Sequence, residues 1–151
     1  MWQVKTFKQL TVEEFYQILY LRTKIFVVEQ DRVYQEVDQI DPQALHLFKT
    51  APSGEVVAYA RIFLSDDGQK VVFGRVATSK AVRGQGVGRE LLEEIMKVIG
   101  DHYPELPVEI EAQIQVQGYY ERANFRAVGD QFIFNHTPHI KMVHAPLKAE
   151  G

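Results

Sequence analysis

The chain has 151 residues, 46% of them hydrophobic and 25% charged, which is the balance of one globular domain spanning residues 1–151 with a sizeable core. Seventeen basic against twenty acidic residues leave a formal charge of −3, so no global field recruits nucleic acid or an anionic membrane, and any anion site must be local. The absence of cysteine excludes disulfides, thiolate metal sites and a cysteine nucleophile.

The opening MWQVKTFKQL lacks the apolar core of a signal peptide, and no apolar run reaches membrane-spanning length, so a cytoplasmic protein is expected. WQVKTF alternates like a short strand. Thr11 and Glu14 have capping-box spacing, and Phe15, Ile18, Leu19, Arg22, Ile25 and Phe26 share one face, which predicts a first helix over 11–26. Residues 27–43 are polar and acidic without a clean period, as in a long loop or broken helix, and loops of that length are commonly functional. ALHLFKT, EVVAYARIFLS and KVVFGRVATS read as three strands of an antiparallel meander, separated by the turn signals APSG and DDGQ.

AVRGQGVGRELLEEIMKVIG, residues 81–100, then places three glycines before a helical run. Val87, Leu91, Leu92, Ile95, Met96 and Ile99 fall on one face, and Gly100 stands where a C-terminal cap belongs. A strand PVEIEAQI, a short helix VQGYYERA, a strand NFRAVGDQFIF, the turn NHTP and a last strand HIKMVHAPL complete an α/β (α+β) chain.

The glycine loop carries the chemical signal. A helix start offers backbone N–H groups without partners at the positive end of the peptide dipoles, a ready site for phosphate. Gly84, Gly86 and Gly88 remove the Cβ atoms that would block close approach, and Arg83 adds a charge-assisted contact. A tight turn would need one glycine; three beside an arginine point to an anion. No Gly-Lys pair exists for a Walker loop, and G-x-G-x-G late in the chain, after a meander, disfavours a dinucleotide fingerprint.

The pattern R-x-x-G-x-G, Arg83 to Gly88, resembles the pyrophosphate loop of the GNAT superfamily of acetyl-CoA-dependent N-acetyltransferases, and the order of elements resembles that superfamily across the whole chain. RTKIFVVEQ (22–30), VYQEVDQID (33–41), EAQ (111–113) and PHIKM (138–142) are similar to its ElaA-type branch. The resemblance implies a mixed, mostly antiparallel central sheet of about seven strands flanked by helices and splayed between strands four and five. It also implies acetyl-CoA as acetyl donor, no metal, and a primary amine of a small molecule or peptide as acceptor; a homodimer is left open. A non-catalytic acyl-CoA-binding regulator and an acyl-homoserine-lactone synthase-like enzyme using S-adenosylmethionine are alternatives on the same fold.

Carried over by residue, the resemblance puts the pantetheine arm on the backbone of Val76, Ala77 and Thr78. It puts the pyrophosphate on Arg83, Gly84, Gln85, Gly86, Val87 and Gly88, and adds Gln113, from the EAQ segment, to the cofactor set. YYERANF aligns Tyr120 with the superfamily's catalytic tyrosine, although Asn124 replaces the usual glycine. Asn is the next-best residue for a left-handed helix end.

Glu29, Glu111 and His46 are candidate bases, and spacing does not choose among them. Arg22, Glu29, Asp41, His46 and His139 are the expected acceptor-side residues. There the acidic run Glu29, Asp31, Glu36, Asp38 and Asp41 would make a mildly negative mouth suited to a cationic amine. Arg22, Arg61 and Arg75 lie in apolar contexts and each calls for a carboxylate, with Glu29 and Asp41 as candidates. His136, His139 and His144 have spacings that do not by themselves gather a metal.

Overall fold

A computed structural model describes residues 1–150, with side chains up to Lys148. Its strands are β1 (Trp2–Thr6), β2 (Leu45–Thr50), β3 (Val56–Leu64), β4 (Val71–Thr78), β5 (Val108–Gln113), β6 (Arg126–Phe134) and β7 (Thr137–His144). Its principal helices are α1 (Val12–Arg22), α2 (Val87–His102) and α3 (Gln117–Glu121). The strands form one sheet in the order β1-β2-β3-β4-β5-β7-β6. Every neighbouring pair is antiparallel except β4 and β5, which makes the mixed, mostly antiparallel sheet of seven strands that the resemblance implied.

Alternation along the strands sorts side chains into two cores. On one face Leu47, Ala58, Ala60, Ile62, Phe73, Ile110 and Met142 meet Leu91, Ile95 and Ile99 of α2. On the other, Phe48, Tyr59 and Ala77 meet Ile18, Leu21 and Ile25. Burying each such aliphatic side chain stabilises by about 1.5–3 kcal/mol, so α2, with six buried residues, is the heavier anchor.

The Thr11–Glu14 capping box forms, with both reciprocal bonds present. Beyond Arg22 the helix widens into a π-helical turn, Thr23–Glu29, which keeps Ile25 and Phe26 buried. The non-helical part of the predicted long loop is therefore residues 30–40, closed by a 3-10 turn at Asp41–Gln43. Gly100 is not a cap: α2 runs on to His102, and Leu147 Cδ1 lies 3.5 Å from where a Gly100 Cβ would stand. Val98 is buried where Met96 was expected, and Met96 only flanks the core. Asn124 adopts φ 70, the left-handed conformation its place after α3 requires.

Two irregularities shape the site. In β4 the register passes from Tyr59↔Ala77 to Arg61↔Gly74, so Arg75 and Val76 oppose the single residue Ala60. Arg75 takes φ 54 at this bulge, a conformation costing a non-glycine residue about 1–2 kcal/mol. The bulge turns Ala77 toward the α1 face while Phe73 still faces α2. β4 and β5 then pair only at Val71↔Val108, after which β5 follows β7 as far as Gln113↔His139. From residue 72 onward, β4 has no strand partner on its β5 side.

Candidate active site

The V between β4 and β5 opens into a cavity of about 600 Å³. Arg83 borders it, and the glycine turn follows directly in the chain. Gly84 and Gly86 have φ of +83° and +82°, and no other atom lies within 4 Å of the place a Cβ would take on either. Gly88 has an ordinary φ, and a Cβ built there would lie 4.0 Å from Tyr119 Cε1, an ordinary contact, so its packing does not require glycine. The first helical bond of α2 runs from Glu90 N–H to Gly86 O at 3.1 Å. The preceding N–H groups, of Gly86, Val87, Gly88 and Arg89, have no acceptor among the described residues. Gln85 differs from expectation, because its N–H donates to Val82 O at 3.3 Å in closing the turn. Arg83 flanks the loop, its Nε donating to Thr78 O at 3.2 Å and its Nη2 to Glu29 at 3.2 Å.

Tyr120 comes up from the α2 side. Its ring packs at 5.9 Å from both Phe73 and Phe125 and borders the cavity, and its hydroxyl makes no hydrogen bond to a described residue. Burial, then the neighbouring Tyr119, push the Tyr120 phenol above its ordinary pKa, so it stays protonated and available as a donor. Tyr119 is structural instead, because its hydroxyl donates to Gly88 O at 2.5 Å and ties α3 to the first turn of α2.

The opposite wall is the 30–41 loop, held down by buried ion pairs. Arg22 Nε donates to Glu36 at 2.5 Å and its Nη1 to Asp41 at 2.7 Å, and Arg22 is fully buried. Arg61 bonds Asp38 at 2.6 and 2.9 Å and Asp41 at 3.1 Å. Arg75 lies 2.9 Å from Glu36 through an Nε–H not aligned on that oxygen, and donates through Nη2 to Glu36 O at 3.2 Å. The Tyr34 ring carries the guanidinium groups of Arg32 at 4.7 Å and Arg75 at 5.3 Å, and its hydroxyl donates to Glu36. Burial and that bond push the Tyr34 phenol up to about 12. Despite opposing burial, the arginine hydrogen bonds hold the Asp38 and Asp41 carboxyls below the usual carboxylate range.

A sequence model of the acetyltransferase (GNAT) domain matches residues 4–145. The chain belongs to the GNAT acetyltransferase family. It is 36% identical to the protein ElaA of Escherichia coli over 151 residues, covering 98% of both chains, and 36% identical to a UPF0039 protein of Synechocystis, covering 94% of this chain and 93% of that one. The crystal structure of E. coli ElaA superimposes with a TM-score of 0.89, covering 95% of this chain and 97% of that one. That of an acyl-CoA N-acyltransferase from Pseudomonas aeruginosa superimposes at 0.90 with 37% identity, covering 96% and 99%. The chain is thus an acyltransferase of GNAT fold.

In this GNAT acetyltransferase the expected residues divide in two. Val76, Ala77, Thr78, Arg83, Gln113 and Tyr120 all border the cavity, whereas Gly84 to Gly88 are not among its lining residues and follow directly after Arg83 in the chain. Gln113, however, turns its side chain to the acceptor wall, where Nε2 donates to Gln30 at 3.3 Å. On the acceptor side His139 alone of the five expected residues borders the cavity. Arg22, Asp41 and His46 are buried beneath the loop, and Glu29 is paired with Arg83. The acidic mouth is therefore absent: Glu29, Glu36, Asp38 and Asp41 are each engaged by arginine. Asp41 is the Arg22 partner that was expected, and Glu36, not Glu29, is the second.

Of the candidate bases, Glu111 faces the cavity, exposed and without a hydrogen bond or ion pair among the described residues. Alternation in β5 could have shown this, because Ile110 and Ala112 claim the core face. Arg32 was overlooked by the sequence reading; an arginine in a polar loop gives no signal of burial. Among the described residues no three His, Asp or Glu side chains stand close enough to hold a metal, and no helix is long and apolar enough to cross a membrane.

His46 generates a pH prediction. Its Nε2–H donates to Asp41 O at 2.9 Å, which leaves Nδ1 to accept from Tyr59 O–H at 2.6 Å, so the neutral ring is fully satisfied. Burial lowers its pKa, outweighing the Asp41 contacts that act the other way. Below about pH 6.5 the unfolded chain takes up a proton that the native state refuses, so stability present above that pH falls as pH drops, by up to about 1.4 kcal/mol per unit. The Asp38 and Asp41 contribution is lost only at more acid pH, as the carboxylates protonate. Urea unfolding at pH 7.5, 6 and 5 should show this decline, and His46→Gln should flatten it while leaving the acid limb below about pH 4.

Proposed function

We propose that the protein is an N-acetyltransferase that moves the acetyl group of acetyl-CoA to a primary amine by direct attack. The observation that carries this reading is that two unpartnered side chains, the Tyr120 hydroxyl and the Glu111 carboxylate, border one splayed gap together with Arg83, and the unpartnered N–H groups of Gly86 to Arg89 follow directly after Arg83 in the chain. Acetyl-CoA suits the gap because its pyrophosphate answers the helix N-terminus and Arg83, and its pantetheine amides answer the unpaired β5-side edge of β4. It supplies an acyl group activated as a thioester.

Glu111 is the proton acceptor. It stands three residues beyond Val108, as Gly74 stands three beyond Val71, so it is level with the start of the β4 bulge. A lysine-like amine is protonated at pH 7, and releasing its proton costs about 4.6 kcal/mol unless a base shares it. Glu29 and His46 are spent on Arg83 and on Asp41 with Tyr59. His139, whose Nδ1 donates to Thr137 O at 2.9 Å, lies further out, opposite Gln113, and contacts the acceptor.

The oxyanion rests on a backbone N–H of the bulge around Val76, which the register with β3 leaves out. Tyr120 donates a hydrogen bond to the departing sulfur. Full proton transfer from a phenol to a thiolate is already uphill by about 2 kcal/mol in water, and burial of Tyr120 raises that further. Glu111 takes one proton from the ammonium and passes it to solvent. The neutral amine adds to the thioester carbon to form the C–N bond and the oxyanion; as this collapses the C–S bond breaks, CoA leaves as the thiolate and the second nitrogen proton goes to Glu111.

The assignments are separable by experiment. Tyr120→Phe should lower kcat tenfold or more, read as thiol release, with the Kd for acetyl-CoA unchanged. Glu111→Gln should lower kcat by about 10²–10⁴-fold near pH 7, and the deficit should narrow at alkaline pH, where the amine is already neutral. Gly86→Ala should cost about 1–2 kcal/mol of stability from its left-handed φ, yet weaken CoA binding in calorimetry by tenfold or more, because the new methyl occupies open space at the loop. Unchanged CoA affinity in the folded variant would remove the loop from the cofactor site.

A further inference from the structure

Three arginines are buried among the described residues, and Arg32 is the one with no carboxylate partner. It is 7% exposed. Nε donates to the backbone oxygen of Asn135 at 3.2 Å, Nη1 to Gln30 Oε1 at 2.9 Å, and the guanidinium lies 4.7 Å from the Tyr34 ring centre. Nη2 has no acceptor among the described residues, and the side chain borders the cavity. A buried guanidinium held in place by neutral groups, with one nitrogen unspent, lacks its counter-ion.

The surroundings say where that counter-ion would lie. Gln30 Oε1, which takes Arg32 Nη1, also takes Gln113 Nε2 at 3.3 Å. Gln113 is two residues from Glu111 on the same face of β5, about 6–7 Å along the strand. Asp38, the carboxylate also bordering the cavity on the loop side, is occupied by Arg61 and Arg75 and does not compete. An anion at Arg32 and an amine at Glu111 are thus separated by the span of one small molecule. A phosphate dianion fits less well than a carboxylate, because a single nitrogen is free and Glu111 shares the cavity.

We propose that the acetyl acceptor is an amino acid whose carboxylate pairs with Arg32 while its amine is presented to Glu111, the products being the N-acetyl amino acid and CoA. This rests on the acetyltransferase reading above and narrows its acceptor. Arg32 fixes the carboxylate by charge and one directed donor, and its rigid seat on Asn135, Gln30 and Tyr34 makes it a specificity determinant.

The test is a panel of free amino acids, each paired with its carboxamide, assayed with acetyl-CoA for wild type, Arg32→Met and Arg32→Lys. In the wild type at least one amino acid should exceed its amide in kcat/KM by tenfold or more. In Arg32→Met that ratio should collapse toward one, chiefly through a higher KM for the amino acid, while Arg32→Lys keeps part of the preference. Thermal melting verifies that both variants fold, and Arg32→Lys alone carries the comparison if the methionine variant does not. Amides acetylated as well as amino acids, or a preference that survives both substitutions, would overturn the assignment of Arg32 and leave the acetyltransferase reading standing. No acetylation of any amino acid in the panel by an acetyl-CoA-binding protein would overturn the amino-acid assignment; the same outcome with polyamines and peptides added to the panel would overturn the acetyltransferase reading as well.

Discussion

The lattice of three arginines and three carboxylates under the 30–41 loop, buried at Arg22, Arg61, Glu36 and Asp41 and half-buried at Arg75 and Asp38, is the constraint on which the site depends. Arg22 comes from the end of α1, Arg61 from β3 and Arg75 from β4, while Glu36, Asp38 and Asp41 come from the loop. Each ion costs several kcal/mol to desolvate, and the cost is offset only if the partners are all present, so the lattice is all or none. Removing one partner leaves a buried charge, a loss of about 3–5 kcal/mol. A loop of eleven mostly polar residues, with no core of its own, is thereby made into a wall.

The lattice also bears on the strand that bounds the gap. Arg75 stands at the bulge with a left-handed backbone, and its guanidinium is engaged by Glu36, Asp38 and the Tyr34 ring. Strain of that kind persists where surrounding contacts over-determine it. The bulge removes Arg75 and Val76 from the β3 ladder, and the single parallel pair with β5 leaves the other edge of β4 open. Loop, bulge and splay are one arrangement: a wall, a strand with unspent backbone groups and a gap between them.

Chemistry then follows from what the protein leaves unsatisfied. Most polar groups near the cavity are paired: Glu29 with Arg83, His46 with Tyr59 and Asp41, and Tyr119 with Gly88. The exceptions are the first N–H groups of α2, the Tyr120 hydroxyl, Glu111 and one nitrogen of Arg32. Tyr120, Glu111 and Arg32 border one gap together with Arg83, after which the α2 N–H groups follow, and an acyl thioester and an amine would spend them.

Local rules were enough for the elements. The capping box at Thr11, the two-residue alternation of the strands, the apolar face of α2 and the left-handed glycines before it are each dictated within a few residues by sterics and hydrogen bonding, and each was legible in the chain. The family resemblance added a mixed, mostly antiparallel sheet splayed between strands four and five; the strand order and the parallel pairing of β4 with β5, which no local pattern specifies, came from the structure. Pairing across distance was not legible. The acidic run read as a solvent-facing mouth because its arginine partners lie up to 54 residues away, and a carboxylate looks the same in sequence whether it is solvated or spent. For the same reason Gly100 looked like a cap until α2 was seen to continue to His102, and Arg32 looked like one more loop charge. The sequence by itself determined which groups exist and the strands and helices that carry them; the tertiary structure alone decided which charges neutralise one another, because that depends on distances and burial between elements far apart in the chain.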